Sequence, residues 1–263
     1  MKTILITGAG SGIGAATAKL LSEQNDTRLL LVGRNTTKLT SVIEGLNNPE
    51  IHTIASLDIS NSSALGSFLS SNEANLHDHP LVAVCANAGI GGPNIYNAAD
   101  GPKDRWNDII ETNLSGTYYT CMTSIPWLLE AKHQGFETRH IAITSSIVSR
   151  FGVASQAAYV ASKTGLLGLV RSLAMKYSKD GILINAINPG WVNTEMARNR
   201  IEEMATEEGV SYESMLEKQK SIVPTGRFIE PEEIAALVQF LFSNVQISIT
   251  GQAIDINGGA WMG

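Results

Sequence analysis

Tyr159 and Lys163 stand four residues apart in the run Tyr159-Val160-Ala161-Ser162-Lys163. A phenol is a poor base at neutral pH, because its ordinary pKa is about 10. A lysine one helical turn away shares its face, and the ammonium charge favours the phenolate. Such a pair is a device for moving a hydroxyl proton. Alone, the spacing is ambiguous, since Tyr and Lys meet at this interval on many solvated helices. The second candidate is the turn Thr7-Gly8-Ala9-Gly10-Ser11-Gly12-Ile13-Gly14. It follows a short apolar run and opens a segment of helical spacing, the context a dinucleotide-binding turn requires. Glycines let the backbone approach a pyrophosphate, which then sits at a helix N-terminus.

The elements that must position these groups follow from the apolar pattern. Runs rich in Ile, Leu and Val occur at Thr3–Thr7, Arg28–Val32, Ile51–Leu57, Leu81–Ala86, His140–Thr144, Leu183–Asn188 and Gln252–Ile256. They do not alternate with polar residues, which is how buried parallel strands read. Between them, helical segments are expected at Gly12–Gln24, Thr36–Leu46, Ser62–Ser71, Lys103–Glu130, Gln156–Lys179 and Glu232–Ser243. Strands alternating with helices imply a Rossmann-like, doubly wound α/β sheet of seven parallel strands with helices on both faces. The chain of 263 residues has no Pro- or Ser-rich linker and no internal repeat, so 1–263 reads as one domain. Residues 195–223 break the rhythm with a long helical segment, either a lid over a substrate or a peripheral helix pair covering the sheet edge.

Bulk composition narrows the field. With 43% hydrophobic and 17% charged residues the chain suits a globular core. A net charge of −6 without a Lys/Arg run argues against a nucleic-acid surface. Cys85 and Cys121 lack CxxC spacing, and His77 and His79 are the only close histidines, so neither a metal site nor a disulfide framework is expected. No apolar stretch is long enough to span a membrane, and a reducing, cytoplasmic setting fits.

Together the motifs resemble the short-chain dehydrogenase/reductase family, in its single-domain subgroup of 3-oxoacyl and polyketide ketoreductases and cyclic-alcohol dehydrogenases. The Thr-Gly-x-x-x-Gly-x-Gly turn and Tyr-x-x-x-Lys are joined in order by Asp58-Ile59, Asn87-Ala88-Gly89, Asn113, Pro189-Gly190 and Thr194. Ala86 stands where the family usually has a first Asn. The resemblance implies an oxidoreductase that moves a hydride between a nicotinamide cofactor and a ketone or secondary alcohol. It implies a catalytic set of Asn113, Ser146, Tyr159 and Lys163. Related ketoreductases usually place the serine thirteen residues before the tyrosine, so the resemblance selects Ser146 from Thr144-Ser145-Ser146, with Ser145 as the fallback. Tyr159 exchanges the hydroxyl proton, Lys163 lowers its pKa and holds the nicotinamide ribose, Ser146 donates to the carbonyl oxygen, and Asn113 holds a water in a proton relay. The cofactor would meet Gly8, Ser11, Gly12, Ile13, Gly14, Gly33, Arg34, Asp58, Ile59, Asn87, Ala88, Gly89, Tyr159, Lys163, Pro189, Gly190, Val192 and Thr194.

Family members that prefer NAD usually end the second strand in Asp; here Gly33 offers no carboxylate and Arg34 could pair with a 2′-phosphate. NADP(H) is therefore favoured over NAD(H), although Ser11 stands where many NADP-using relatives carry Arg or Lys. Arg34 could instead stack on adenine without discriminating. The substrate wall is expected to include Gly91, Gly92, Pro93, Ile147, Val148, Gln156, Trp191 and Met196. Trp191 could equally be packing under the lid, and Arg150 either binds an acidic substrate group or lies on the surface. The resemblance also implies a homodimer or homotetramer paired through Lys103–Glu130 and Gln156–Lys179. Two other readings remain: a nucleotide-binding regulator without turnover, and a lyase that has discarded the cofactor. The intact set of four argues against the first, and the filled glycine positions with Lys163 argue against the second.

Overall fold

Strands rich in Ile, Leu and Val on both faces need cover on both faces. In the computed structural model, which describes residues 1–92 and 104–263, they obtain it. Strands β1 (Lys2–Thr7), β2 (Thr27–Gly33), β3 (Thr53–Ser56), β4 (Leu81–Ala86), β5 (Arg139–Thr144), β6 (Ile182–Pro189) and β7 (Ala253–Ile256) form one parallel sheet in the order β3-β2-β1-β4-β5-β6-β7. Every residue of β4, β5 and β6 is buried. Helices α1 (Gly12–Ser22), α2 (Thr36–Glu44), α3 (Ser62–Leu69), α4 (Trp106–Ile110), α5 (Thr117–Glu130), α6 (Ala157–Tyr177), α7 (Glu195–Glu208), α8 (Tyr212–Ile222) and α9 (Pro231–Leu241) complete the described elements. Leu65, Ile125, Leu166 and Val170 pack α3, α5 and α6 on one face. Ala18, Leu21, Leu39, Ile234 and Val238 pack α1, α2 and α9 on the other. Each such aliphatic side chain contributes about 1.5–3 kcal/mol on burial. The strand order reverses between β1 and β4, so a crevice opens at their carboxyl ends, where α/β ligands bind.

Several expected boundaries shift for local reasons. The third strand begins at Thr53, not Ile51, because Pro49–Ile51 form a 3-10 turn after Asn48, whose φ is +53°. The helix expected over Lys103–Glu130 runs without a break from Trp106 to Glu130 among the described residues, but α4 passes into a π-helical turn, Glu111–Gly116, before α5. Ile59 packs against Gly116 so closely that a Cβ there would lie 2.8 Å from its side chain. Lys103 and Pro93 lie outside the described residues. The 195–223 segment folds as α7 and α8, parted at Gly209 with φ +67°. These helices enclose a small core of their own, Ile201, Ala205, Met215 and Phe228. Pro231 at the first position and a reciprocal Glu230–Glu233 capping box start α9.

His140, in β5, is buried beside Phe242 with ring centres 6.0 Å apart. Burial pushes its imidazole down from 6.5 to about 4. A lowered histidine stabilises the fold fully above its unfolded value, and that contribution is lost as pH falls through the window from 6.5 to about 4. At full protonation the loss is on the order of 3 kcal/mol. Urea unfolding across this window should show that slope, and His140→Phe should flatten it; an unchanged slope would contradict the assignment.

Candidate active site

The crevice is built by stitching three strand ends together. Thr7 Oγ1, at the end of β1, accepts from the Asn87 and Ala88 N–H groups, each at 3.1 Å. The Asn87 amide donates to the Thr7 carbonyl at 3.2 Å, while its oxygen accepts from Thr144 Oγ1 at 3.1 Å. Gly8, with φ +66°, leaves only 2.7 Å between an added Cβ and Ala88 Cα. A Cβ on Gly14 would come within 2.2 Å of the Gly8 carbonyl oxygen. The start of α1 is thus pressed onto the ends of β1 and β4. Its N-cap, Ser11, makes no side-chain cap, and no acidic residue stands in the first turn of Gly12, Ile13 and Gly14. Among the described residues the orphan N–H groups and the positive end of the helix are therefore unanswered by a side-chain cap or a carboxylate of the first turn, which fits a bound pyrophosphate.

Farther along the crevice, Gly33 leaves the end of β2 without a carboxylate. Arg34 Nη1 lies 3.7 Å from Asp58 Oδ2, with the arginine side chain 62% exposed. Burial raises the Asp58 carboxyl, but the Ser60 backbone and hydroxyl bonds and Arg34 outweigh it and hold it below its usual value. On the other wall, Pro189 ends β6, and Gly190 packs so tightly that a Cβ would sit 3.0 Å from Asn257 Cα. Val192 bridges Ile229. Thr194 accepts from the Ala197 N–H at 3.3 Å and so caps α7.

At the centre, Lys163 is buried and donates from Nζ to the Thr144 carbonyl at 2.8 Å. Burial brings its ammonium down to about 8. Its Nζ lies 5.7 Å from the centre of the Tyr159 ring. A Cβ on Gly89 would come within 3.4 Å of that nitrogen and 3.3 Å of Asn113 Oδ1, so glycine there leaves both groups uncrowded. The Tyr159 hydroxyl is bonded to Ser146; burial raises the phenol above 10 and the Ser146 bond opposes it. The lowering expected from Lys163 is not found: the influence that opposes burial comes from Ser146, and removing the phenolate from water dominates. Ser145 turns away and donates to the Lys163 carbonyl at 2.8 Å, leaving Ser146 as the hydroxyl beside Tyr159. Asn113, wholly buried in the π turn, accepts from the Ile90 N–H at 2.8 Å and donates to the Ile90 carbonyl at 2.9 Å and Ser162 Oγ at 3.2 Å. Ser162 Oγ donates in turn to the Tyr159 carbonyl at 2.8 Å. Both amide hydrogens of Asn113 are thus engaged with protein.

The expected substrate wall divides. Ile147 and Val148 form the turn after Ser146, and Gln156 is the N-cap of α6. Met196 Sδ would lie 3.5 Å from a Cβ on Gly91, so α7 reaches the loop after β4. Trp191 stacks on Phe228 at 5.3 Å and 12° and packs on the small core under α7 and α8, so one of its faces is committed to packing. Arg150 is held by β7: its guanidinium forks onto Asp255 at 3.2 and 3.1 Å and donates to the Ala253 carbonyl at 2.9 Å. Thr7, Thr144 and Ser162 lie in the motifs quoted above, but sequence assigns them no role. Thr144 had a signal, its place in a run of three hydroxyls; the other two act through contacts between distant strands and turns.

A parallel sheet of order 3-2-1-4-5-6-7 with this crevice is the framework of nicotinamide-dependent oxidoreductases, and comparison with known proteins agrees. Residues 8–260 match a family model described as enoyl-(acyl carrier protein) reductase. An acetoacetyl-CoA reductase from Synechocystis is 34% identical, the match covering 98% of this chain and 95% of that one. A 3-oxoacyl-(acyl carrier protein) reductase from Rickettsia prowazekii is 32% identical, over 99% and 97% of the two chains. Among solved structures, actinorhodin polyketide ketoreductase with NADPH superposes with a TM-score of 0.88 at 27% identity, over 98% and 97%. The chain belongs to the short-chain dehydrogenase/reductase family.

Proposed function

We propose that this protein is an NADP(H)-dependent ketoreductase that interconverts a ketone and a secondary alcohol. The observation that carries the reading is Tyr159 bonded to Ser146, with Lys163 behind it, at the crevice onto which the open start of α1 faces. A bound nicotinamide cofactor supplies the hydride. The glycine turn and the first N–H groups of α1 would hold its pyrophosphate, and Lys163 its ribose. Tyr159, a phenol at neutral pH because burial raises it, donates its proton to the carbonyl oxygen during reduction. Ser146 donates a second hydrogen bond to that oxygen as negative charge develops. Lys163, brought near neutrality by burial, is poised to return a proton to the phenolate side. Asn113 braces the Ile90 loop and, through Ser162, the turn carrying Tyr159; a relay water would have to be met by its backbone. Incubation with NADPH and a panel of 3-oxoacyl thioesters and cyclic ketones, read at the nicotinamide absorbance, tests the reading. Loss of absorbance with at least one carbonyl supports it, and none across the panel opposes it.

Cofactor preference rests on Gly33 and Arg34. The guanidinium of Arg34 is exposed, 3.7 Å from Asp58, and β2 itself ends in Gly33 without a carboxylate, which favours a 2′-phosphate. NADPH should bind about ten-fold more tightly than NADH, and Arg34→Ala should bring the two together by weakening NADPH. Equal affinities in the unsubstituted protein would defeat this assignment. We also propose pairing of two copies through α5 and α6. On α6, Ala161, Gly168 and Met175 are exposed, and nothing lies within 4 Å of a Cβ on Gly168. Sedimentation at micromolar concentration should show a dimer or tetramer that Gly168→Trp breaks; a monomer throughout would dismiss the pairing.

A further inference from the structure

The glycine turn lies between two walls. On one side, the stem of Lys38, in the first turn of α2, lies over Gly10, where a Cβ would come within 3.1 Å of Lys38 Cβ. On the other side, a Cβ on Gly12 would meet Thr194 Cγ2 at 3.0 Å, and Thr194 is the N-cap of α7. Lys38 Nζ reaches across and bonds Glu195 Oε2, the first residue of α7, at 2.6 Å. The other ion pairs of this region among the described residues stay within the helix pair. Arg200 meets Glu203 and Glu207, Lys218 meets Glu208, and Lys220 meets Glu217. The Lys38 bond thus ties α7 to the opposite wall of the crevice. Asn35 Oδ1 accepts from the Lys38 N–H at 2.9 Å, which fixes the start of α2 and with it the root of the side chain. Glu195 is also favourably placed at the positive end of α7.

We propose that the Lys38–Glu195 ion pair is a strap across the dinucleotide groove, which must open before bound cofactor leaves. This inference rests on the dinucleotide reading above. The pyrophosphate site at the start of α1 is floored by Gly10 and Gly12, and the strap joins Lys38, over Gly10, to Glu195, the residue after Thr194, which stands over Gly12. Opening it frees α7 from α2 without disturbing Tyr159, Lys163 or the glycine turn. Lys38 and Glu195 are accordingly positioning residues for the cofactor, acting on its dissociation and not on the proton transfer.

The test is the rate at which bound NADPH, followed by its fluorescence, is displaced by excess NADP⁺ in stopped flow. Lys38→Met and Glu195→Gln should each speed release about three-fold, the modest scale of an exposed ion pair. The double variant should release no faster than either single one. Added salt should speed release from the unsubstituted protein and leave the double variant unchanged. Lys218→Met, which breaks a pair within the two helices, should match the unsubstituted protein. If Glu195→Gln slows release or leaves it unchanged while Lys38→Met speeds it, Lys38 grips a cofactor phosphate alone and the strap is refuted. Additive effects in the double variant would refute it too. If the unsubstituted protein binds no dinucleotide, the strap and the oxidoreductase reading fall together; if it binds and the variants do not differ from it, only the strap falls.

Discussion

Tyr159→Phe should lower turnover by about 10²–10⁴-fold, the range general acid catalysis supplies, while NADPH affinity stays within about two-fold. The substitution removes one oxygen and keeps the ring against Lys163. Its hydroxyl is bonded to Ser146, so the variant loses both the proton donor and the partner that orients the serine. The cofactor contacts assigned to the glycine turn and Lys163 remain. A Ser146→Ala variant should lose less, because the phenol can still donate. Paired measurements of kcat and NADPH binding separate the outcomes: binding lost with turnover would mean that Tyr159 supports the groove and not the chemistry.

Gly14→Ala should be the most damaging single methyl in the crevice. The added carbon would stand 2.2 Å from the Gly8 carbonyl oxygen and 2.9 Å from Asn87 Nδ2. The obstacle is backbone, so α1 must move off β1, and overpacking of this kind costs about 1–3 kcal/mol. That cost lowers Tm by several degrees in a chain of this size (roughly 2–4 °C per kcal/mol). The displacement also spoils the orphan N–H cradle, and NADPH affinity should fall at least about ten-fold. Gly152→Ala is the contrast, since nothing lies within 4 Å of its added carbon; it should leave Tm and NADPH binding as they are. A Gly14→Ala protein with unchanged Tm and affinity would mean that α1 is not pressed onto the strand turn as described.

The layout was legible where the physics is local. Unalternating Ile/Leu/Val runs betrayed the parallel strands, because a strand covered on both faces has no polar side to show. The Gly8–Gly14 turn was readable because its glycines mark it in the sequence, although most of what crowds them (Ala88, Lys38, Thr194) lies far along the chain. The family resemblance pointed to Ser146, and the structure turns Ser145 to the Lys163 carbonyl instead. What escaped depends on partners far along the chain. The π turn at Asn113 goes with packing between Gly116 and Ile59 from the end of the third strand, and no periodicity in Lys103–Glu130 announces it. Trp191 meets Phe228, and Arg150 meets Asp255, only once the sheet has formed. The Tyr159 phenol misled for a related reason: an i, i+4 lysine is visible in sequence, whereas the burial that raises the phenol is not.

The most direct test of the account is a stoichiometric one. Unsubstituted protein, NADPH and an active ketone are sampled together for cofactor absorbance and for alcohol formed. Hydride transfer assisted by Tyr159 predicts one alcohol for each NADPH oxidised. NADPH that binds and stays reduced with every carbonyl offered would contradict the account and leave a nucleotide-binding protein on an oxidoreductase fold.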